Sequence, residues 1–258
     1  MANWPELQTI VMQDVQIVKG QDAGTMWQLV CASLPSLTQL DLSQNYVTNA
    51  MVDQLALGQW PLLSIGVGVD IGIFQSLEKA DWPKLQVLSF EEADSVDVGI
   101  DNKTSVTVNW WQQMKTFTMI DSEVDLPLLS WLLQPWGPTI VCMNLSRSQL
   151  VSEAFGLLSK AYFPALSTLI LSRTGMDGHN MSILADGSWP ALTHLELDSN
   201  VDFDETALLA LISAHLPKLL LLSLNGIYIS NFSSAQLAQG KWPQLKTICM
   251  LFVNTRNT

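Results

Sequence analysis

Residues 34–60, LPSLTQLDLSQNYVTNAMVDQLALGQW, decide how the rest of the chain is read. Leu37, Leu40 and Leu42 stand at spacings of three and two, Asn45 follows three later and Val47 two after that. The arrangement is L-x-x-L-x-L-x-x-N-x-L. Its central leucines alternate as a short half-buried strand does, with Gln39, Asp41 and Ser43 left for the opposite face. Beyond Val47, Thr48 or Asn49 can cap a helical run in which Val52, Leu55 and Ala56 share one side, and Gly58 ends it.

The same punctuation recurs along the chain. An aromatic residue or leucine followed by proline precedes each leucine triplet at Trp4-Pro5, Leu34-Pro35, Trp60-Pro61, Trp82-Pro83, Phe163-Pro164, Trp189-Pro190, Leu216-Pro217 and Trp242-Pro243. Pro138 holds this place with Trp136 one residue out of register, and Trp111-Gln112 holds it without proline. From Pro5 to Pro243 that makes ten units with a mean period of (243 − 5)/9, about 26. Proline fixes its own φ and drives the preceding residue towards extended geometry, so it ends one helix and aims the chain at the next strand. The bulky residue before it fills the gap between successive helices.

In period and pattern the chain resembles the leucine-rich-repeat superfamily, and within it the helix-bearing, ribonuclease-inhibitor-like class. The resemblance implies an α/β solenoid: a right-handed horseshoe with a parallel β-sheet on the concave face and helices on the convex face. Residues 1–258 are expected to form a single domain of about ten repeats, irregular between 60 and 112. Helices are expected at 153–162, after Asp204 and at 233–240, besides the one after Thr48.

Three departures break the regularity. The unit from Trp60 spans only 22 residues, and its strand, read as SIGVGVDIG (64–72), is glycine-rich and slipped by one. The unit 82–111 carries DSVDVGIDNKTSVTVNWW where a helix should stand, with Val106 and Val108 alternating as in an extended excursion. The asparagine ladder is also patchy. Asn45 and Asn200 fit it, Asp70, Ser122, Ser148 and Thr174 can substitute in part, and Val15, Ala93, Ile227 and Val253 cannot.

Composition narrows the functional classes. Hydrophobic residues make up 48% of the chain, but no apolar run approaches the ~18 residues of a membrane-spanning helix. Lys and Arg number 12 against 24 Asp and Glu, a net charge of −12, which disfavours nucleic acid and anionic membrane surfaces as partners. MANWPELQTI has neither the basic nor the apolar region of a secretory signal. Cys31, Cys142 and Cys249 lie too far apart for a disulfide framework or zinc cluster, so a reducing cytoplasmic location is expected. Four Asn-x-Ser/Thr matches, at Asn102, Asn144, Asn180 and Asn231, are read as chance, Asn144 falling within a strand.

In the family resembled, ligands dock on the exposed strand residues. Those positions here run Thr9, Gln39, Ser64, Val87, Thr116, Cys142, Thr168, His194, Leu221 and Thr247 in the first column. The second column includes Asp41, Asn144 and Glu196, and the third Glu91, Asp198 and Asn225. None of these positions is Lys or Arg. The candidate partner-binding residues are therefore Asp41, Glu91, Asn144, His194, Glu196, Asp198 and Asn225, a polar, mildly acidic set suited to basic or polar segments of a protein. The face lacks the Trp, Tyr and Arg anchors that usually dominate binding energy.

Catalytic chemistry finds little support. His194, Glu196 and Asp198 lie on one face of one strand, but adjacent strands add no second imidazole or thiolate to complete a metal site. Gly66-Val-Gly68-Val-Asp-Ile-Gly72 is not a dinucleotide fingerprint, and no Walker lysine follows it. The cysteines lack a plausible catalytic partner set. No cofactor, no metal and no enzymatic activity is expected. The expected function is a non-catalytic protein-interaction scaffold. The alternative is a structural subunit or fragment of a larger assembly, touching neighbours end to end through its uncapped terminal coils and its irregular repeats.

Overall fold

The computed structural model describes residues 4–13, 36–43, 45, 62–65, 85–91, 113–124, 126, 129, 130, 133, 138–228 and 235–251. Two compact units, Met1–Glu123 and Val124–Thr258, divide the chain.

In the first unit the strands β1 (Thr9–Val11), β2 (Gln39–Leu42), β3 (Leu62–Ile65), β4 (Val87–Glu91) and β5 (Thr116–Ile120) lie side by side in chain order, every paired neighbour parallel. Short antiparallel-type turns cannot link parallel strands, so each connection must cross over, as the period of about 26 allows. Alternation holds where it was read. Leu40, Leu42, Leu88, Phe90, Phe117 and Met119 are fully or almost fully buried, while their strand neighbours stay half-exposed. Phe90 and Phe117 meet edge to face with centroids 6.2 Å apart.

The third strand departs from the sequence reading. Leu62 stands opposite Gln39 and Val87, and Ser64 opposite Asp41 and Ser89. Ser64 therefore belongs to the second column, and the strand covers 62–65 where 64–72 was expected. Other strands open four residues after their proline, as Pro190 and His194 illustrate, whereas this one opens directly after Pro61. A slide of two residues preserves a strand's alternation, so the apolar pattern alone cannot detect it. The expected helix after Thr48, the glycine-rich stretch 66–72 and the excursion 94–110 lie outside the described residues, as do Asp70, Val15, Ala93 and Val253.

β6 (Glu123–Val124) falls at the division between the units. In the second unit β7 (Cys142–Asn144), β9 (Thr168–Ile170), β10 (His194–Glu196), β11 (Leu221–Ser223) and β12 (Thr247–Cys249) form the parallel array, in that order. β8 (Gln149–Leu150) is not part of it. Behind the strands run α1 (Ser152–Lys160), α2 (Gly178–Ala185) and α3 (Glu205–Ser213), with α2 packed between the other two.

α1 matches expectation to within two residues, α3 starts directly after Asp204 as expected and ends three residues before the end of the expected run, and the described part of 233–240 is helical over 235–237. α2 escaped the sequence reading, although Asp177 marks its start by accepting a 2.8 Å bond from the Asn180 N–H. Asp204 does the same for α3 through the Ala207 N–H at 2.9 Å. Asn180 is buried on α2, which leaves no room for a glycan there. α2 and α3 approach so closely at their starts that a β-carbon on Gly178 would overlap the Thr206 hydroxyl.

The bulky residues of the junctions close the gap between helices. Trp189 is buried, stacks on Phe163 at 5.7 Å and 14°, and donates its indole N–H to Leu184 O at 3.0 Å. Trp242 occupies the equivalent place in the last described coil. Its indole N–H is buried without an acceptor among the described residues.

Asparagine closes the coils where it is present. Asn200 Nδ2 donates to Leu171 O (2.9 Å) and Leu197 O (2.8 Å), and Oδ1 accepts from the N–H groups of Thr174 (2.9 Å) and Met176 (3.0 Å). All four partners of one buried amide are thus backbone groups on two successive coils. Asn45 likewise donates to Met12 O, Leu42 O and Ser43 O. Thr174 reaches only Leu171 O in its own coil, at 2.9 Å, and Ile227 fills its place with a buried apolar side chain.

Candidate functional site

The open face of the second unit is built by three adjacent strands, β9, β10 and β11. Each strand buries its middle residue (Leu169, Leu195, Leu222) and turns its first residue towards the open side. His194 is flanked in register by Thr168 and Leu221, and Glu196 by Ile170 and Ser223. Asn144 lies two strands from Glu196, across β9.

One residue beyond the third column, the chain turns sharply through left-handed backbone at Asp121, Arg147, Arg173, Ser199 and Gly226, with φ between 54° and 71°. A non-glycine residue there costs about 1 kcal/mol or more. Interstrand bonds offset this: Arg147 N–H donates to Ser172 O (2.7 Å), Arg173 N–H to Asp198 O (2.9 Å) and Ser199 N–H to Asn225 O (2.7 Å).

Polar side chains beside this turn are drawn into the same network. Asp198 accepts the Asn225 N–H at 2.8 Å on one oxygen and Asn225 Nδ2 at 2.9 Å on the other. Asn225 Nδ2 also donates to Ser223 Oγ (2.8 Å), while its Oδ1 accepts the Leu251 N–H (2.9 Å). Asn144 Oδ1 accepts from the Ser146 N–H (2.9 Å) and hydroxyl (2.6 Å). Asp41 in the first unit follows suit, with the Ser43 N–H (2.9 Å), the Ser43 hydroxyl (2.6 Å) and Gln13 Nε2 (2.7 Å) as donors. Four of the seven candidate residues, Asp41, Asn144, Asp198 and Asn225, therefore hold backbone turns in shape.

His194, Glu196 and Glu91 remain. Glu91 is half-exposed at the end of β4, opposite Ile120. Glu196 is half-buried, and no hydrogen bond to its carboxylate exists among the described residues. Burial raises its pKa above the ordinary 4.5, the Asp198 charge raises it further, and His194 opposes both. The Cys142 thiol is likewise pushed up, first by burial and then by Glu196, which disfavours the nucleophilic thiolate.

Thr193 sets the ring of His194. Its hydroxyl donates to Ser167 O at 2.9 Å and lies 2.8 Å from His194 Nδ1. With its proton spent on the carbonyl, that oxygen accepts from Nδ1–H, which leaves Nε2 as the outward ring atom. Sequence reasoning missed Thr193, yet the signal is present. Thr38 and Ser167 occupy the same place and bond back to Gln8 O (3.1 Å) and Val141 O (3.2 Å). Among the described residues no group of three His, Cys, Asp or Glu side chains is placed to hold a metal ion. Nor, among them, is any helix long and apolar enough to cross a membrane.

No protein-family model matches the sequence, and no curated protein is significantly similar to it. Solved structures do match. An internalin (inlF) from Listeria monocytogenes str. 4b F2365 aligns with a TM-score of 0.50 at 13% identity, over 97% of this chain and 62% of that one. The chain is also similar to one in the crystal structure of a TLR13–ssRNA13 complex, with a TM-score of 0.49 and 17% identity, over 98% of this chain and 31% of that one. The chain thus spans less than two thirds of the length of either protein. Together with the parallel strands and their repeat, the internalin likeness shows the fold: an α/β solenoid of leucine-rich-repeat type with an open sheet.

Proposed function

We propose that the chain is a non-catalytic protein-binding scaffold whose open face, at His194 and Glu196, takes up a basic or polar segment of a partner. One observation carries this reading: Glu196 keeps a carboxylate half-buried, in disfavoured ionisation and without a hydrogen bond, while the neighbouring Asp198 and Asn225 are fully engaged. A cationic side chain arriving there relieves the repulsion from Asp198 and supplies the missing partner. His194 Nε2 lies on the same strand, and Thr168, Ile170, Leu221 and Ser223 give the pair a surround with no competing cation. Glu91 offers a second half-exposed carboxylate in the first unit. The net charge of −12 favours a cationic protein segment over nucleic acid.

The test is affinity purification from the source cell with the intact chain, side by side with Glu196→Gln and His194→Ala. The partner should be lost or weakened severalfold with Glu196→Gln while the variant keeps its fold. Undiminished capture by both variants would overturn the assignment.

A second reading, a structural subunit meeting its neighbours through its end coils, has its own observation. Ile248 and Leu251 in the last described coil are exposed, although Ile248 holds a place that is buried in every other strand of the second unit.

A further inference from the structure

The chain holds three arginines, Arg147, Arg173 and Arg256, and the first two occupy one place on adjoining coils. Both stand in the left-handed turn just beyond the open face, at φ 61° and 57°, and both are exposed. Their N–H groups donate to Ser172 O and Asp198 O, so each turn lies against the next coil at the level of the third column. Side chains in this row stand over one another. A β-carbon built on Gly226, at the same place two coils after Arg173, would lie 3.6 Å from that of Ser199. The stems of Arg147 and Arg173 therefore leave the backbone side by side, roughly one strand spacing of 4.8 Å apart. Among the described residues no carboxylate forms an ion pair with Arg173. The charges acting on Glu196 are those of Asp198 and His194, neither of them an arginine. The acidic face and the basic rim are thus two separate poles. Ile170, in register with Glu196, lies three residues before Arg173. Along a strand that is roughly 10 Å, the reach of about three residues of extended chain.

We infer that the segment taken up at Glu196 carries, within about three residues of its cationic side chain, a carboxylate that docks on Arg173 beside Arg147. This second contact presupposes the first, at Glu196. A guanidinium is planar and offers paired N–H donors that match a carboxylate, so the rim selects an Asp or Glu side chain over a neutral amide. The charge of Arg147 on the adjoining coil adds to the pull. A segment of mixed sign answers both poles, which a purely basic tail does not. Nucleic acid would satisfy the rim only by laying further phosphates along the acidic face.

Selection of phage-displayed random dodecapeptides on the intact chain reads both poles at once. Against the wild type, enriched peptides should carry Lys or Arg and, within about three residues, Asp or Glu. Against Arg173→Gln the acid should drop out of the enriched set while the cation stays, and against Glu196→Gln the cation should drop out. A synthetic copy of the leading peptide should bind Arg173→Gln about fivefold more weakly than wild type, as an exposed ion pair allows, with Arg173→Lys in between. Replacing the peptide's acid by its amide should weaken wild-type binding to the same degree and cost nothing further in Arg173→Gln, a coupling that a damaged fold would not produce. Enriched peptides with the cation but no acid, or an acid that persists against Arg173→Gln, would overturn the rim contact and leave the role of Glu196 standing. A cation that persists against Glu196→Gln would overturn the open-face assignment and, with it, the paired contact. No enrichment on the wild type would overturn both. A single-stranded oligonucleotide that binds the wild type more tightly than these peptides, and is lost in Arg173→Gln, would assign the rim to phosphate and overturn the carboxylate.

Discussion

Within the second unit, two regions a few residues apart use the same polar side chains in opposite ways. In the turn row, Asn200 spends its amide on backbone groups of two coils, and Asp198 and Asn225 spend theirs on each other, on Ser223 and on backbone N–H groups of the next coil. Among the described residues, Glu196 on the open face engages none and His194 only the preceding hydroxyl. A solenoid coil must satisfy its turn by side chains, because the chain leaves the sheet there with its ladder interrupted. A strand in mid-sheet has its backbone already paired, so its outward residues are free to serve another molecule. The difference explains why residues that look equally polar in sequence cannot be ranked by charge alone.

The comparison breaks first, and most heavily, at Asn200. Asn200→Ala removes four buried bonds and strands the backbone groups that made them, a loss of about 3 kcal/mol measurable by chemical denaturation. A change below about 1 kcal/mol would mean that water fills the gap and that the ladder is dispensable. Ile227 shows that a coil can close with a buried apolar residue at this place.

The next effect belongs to Asp198. Asp198→Ala should cost about 2 kcal/mol, since it frees both the Asn225 N–H and its amide. A smaller contribution comes from the helix cap at Asp204, where Asp204→Ala should cost about 1 kcal/mol. The Thr206 hydroxyl, then the Ala207 N–H, lower the pKa of Asp204 below its ordinary 3.8. A lowered folded pKa means stability that is present above the unfolded value and fades as the pH falls through the folded one. The wild-type advantage over Asp204→Ala should accordingly hold at neutral pH and shrink below about pH 4. A penalty independent of pH would assign the effect to packing.

Much of the fold was legible because it rests on local chemistry. Trp-Pro and Leu-Pro junctions set the coil boundaries, and the leucine alternation set the buried face of each strand. The third strand was misplaced by two residues because alternation has a period of two and cannot report a slide of that length. Asp177 heads α2 as plainly as Asp204 heads α3, but the helix it opens, GHNMSILA, begins with glycine and has a weak apolar stripe. A further signal stands in the sequence. Gly or Ala stands two residues before each of the eight junctions whose proline is in register, at positions 2, 32, 58, 80, 161, 187, 214 and 240, but not before Trp111 or Trp136. Its reason is steric: a β-carbon on Gly187 or Gly240 would collide with the ring of Trp189 or Trp242.

The candidate site was legible only as a set of seven residues. Dividing it into turn-holders and free groups depends on which coil lies alongside. Asp198 meets Asn225 across 27 positions of sequence, and nothing local to either residue announces the bond. Thr193 was missed for the same reason, its role being fixed by a carbonyl one coil earlier.

The most direct measurement is the stability of Glu196→Gln against wild type as a function of pH. A folded pKa above the ordinary value means that the folded state holds the proton more tightly, so stability falls as pH rises from the ordinary 4.5 through the folded value. Above that range the wild type carries a small electrostatic burden. Glu196→Gln should therefore be slightly more stable at neutral pH, by up to about 0.5 kcal/mol for a half-buried group that solvent still screens, and should lose that gain in acid. A carboxylate reserved for a partner behaves in this way. Destabilisation at neutral pH on the scale of Asp198→Ala would instead make Glu196 one more prop of the fold and contradict its assignment as the binding group.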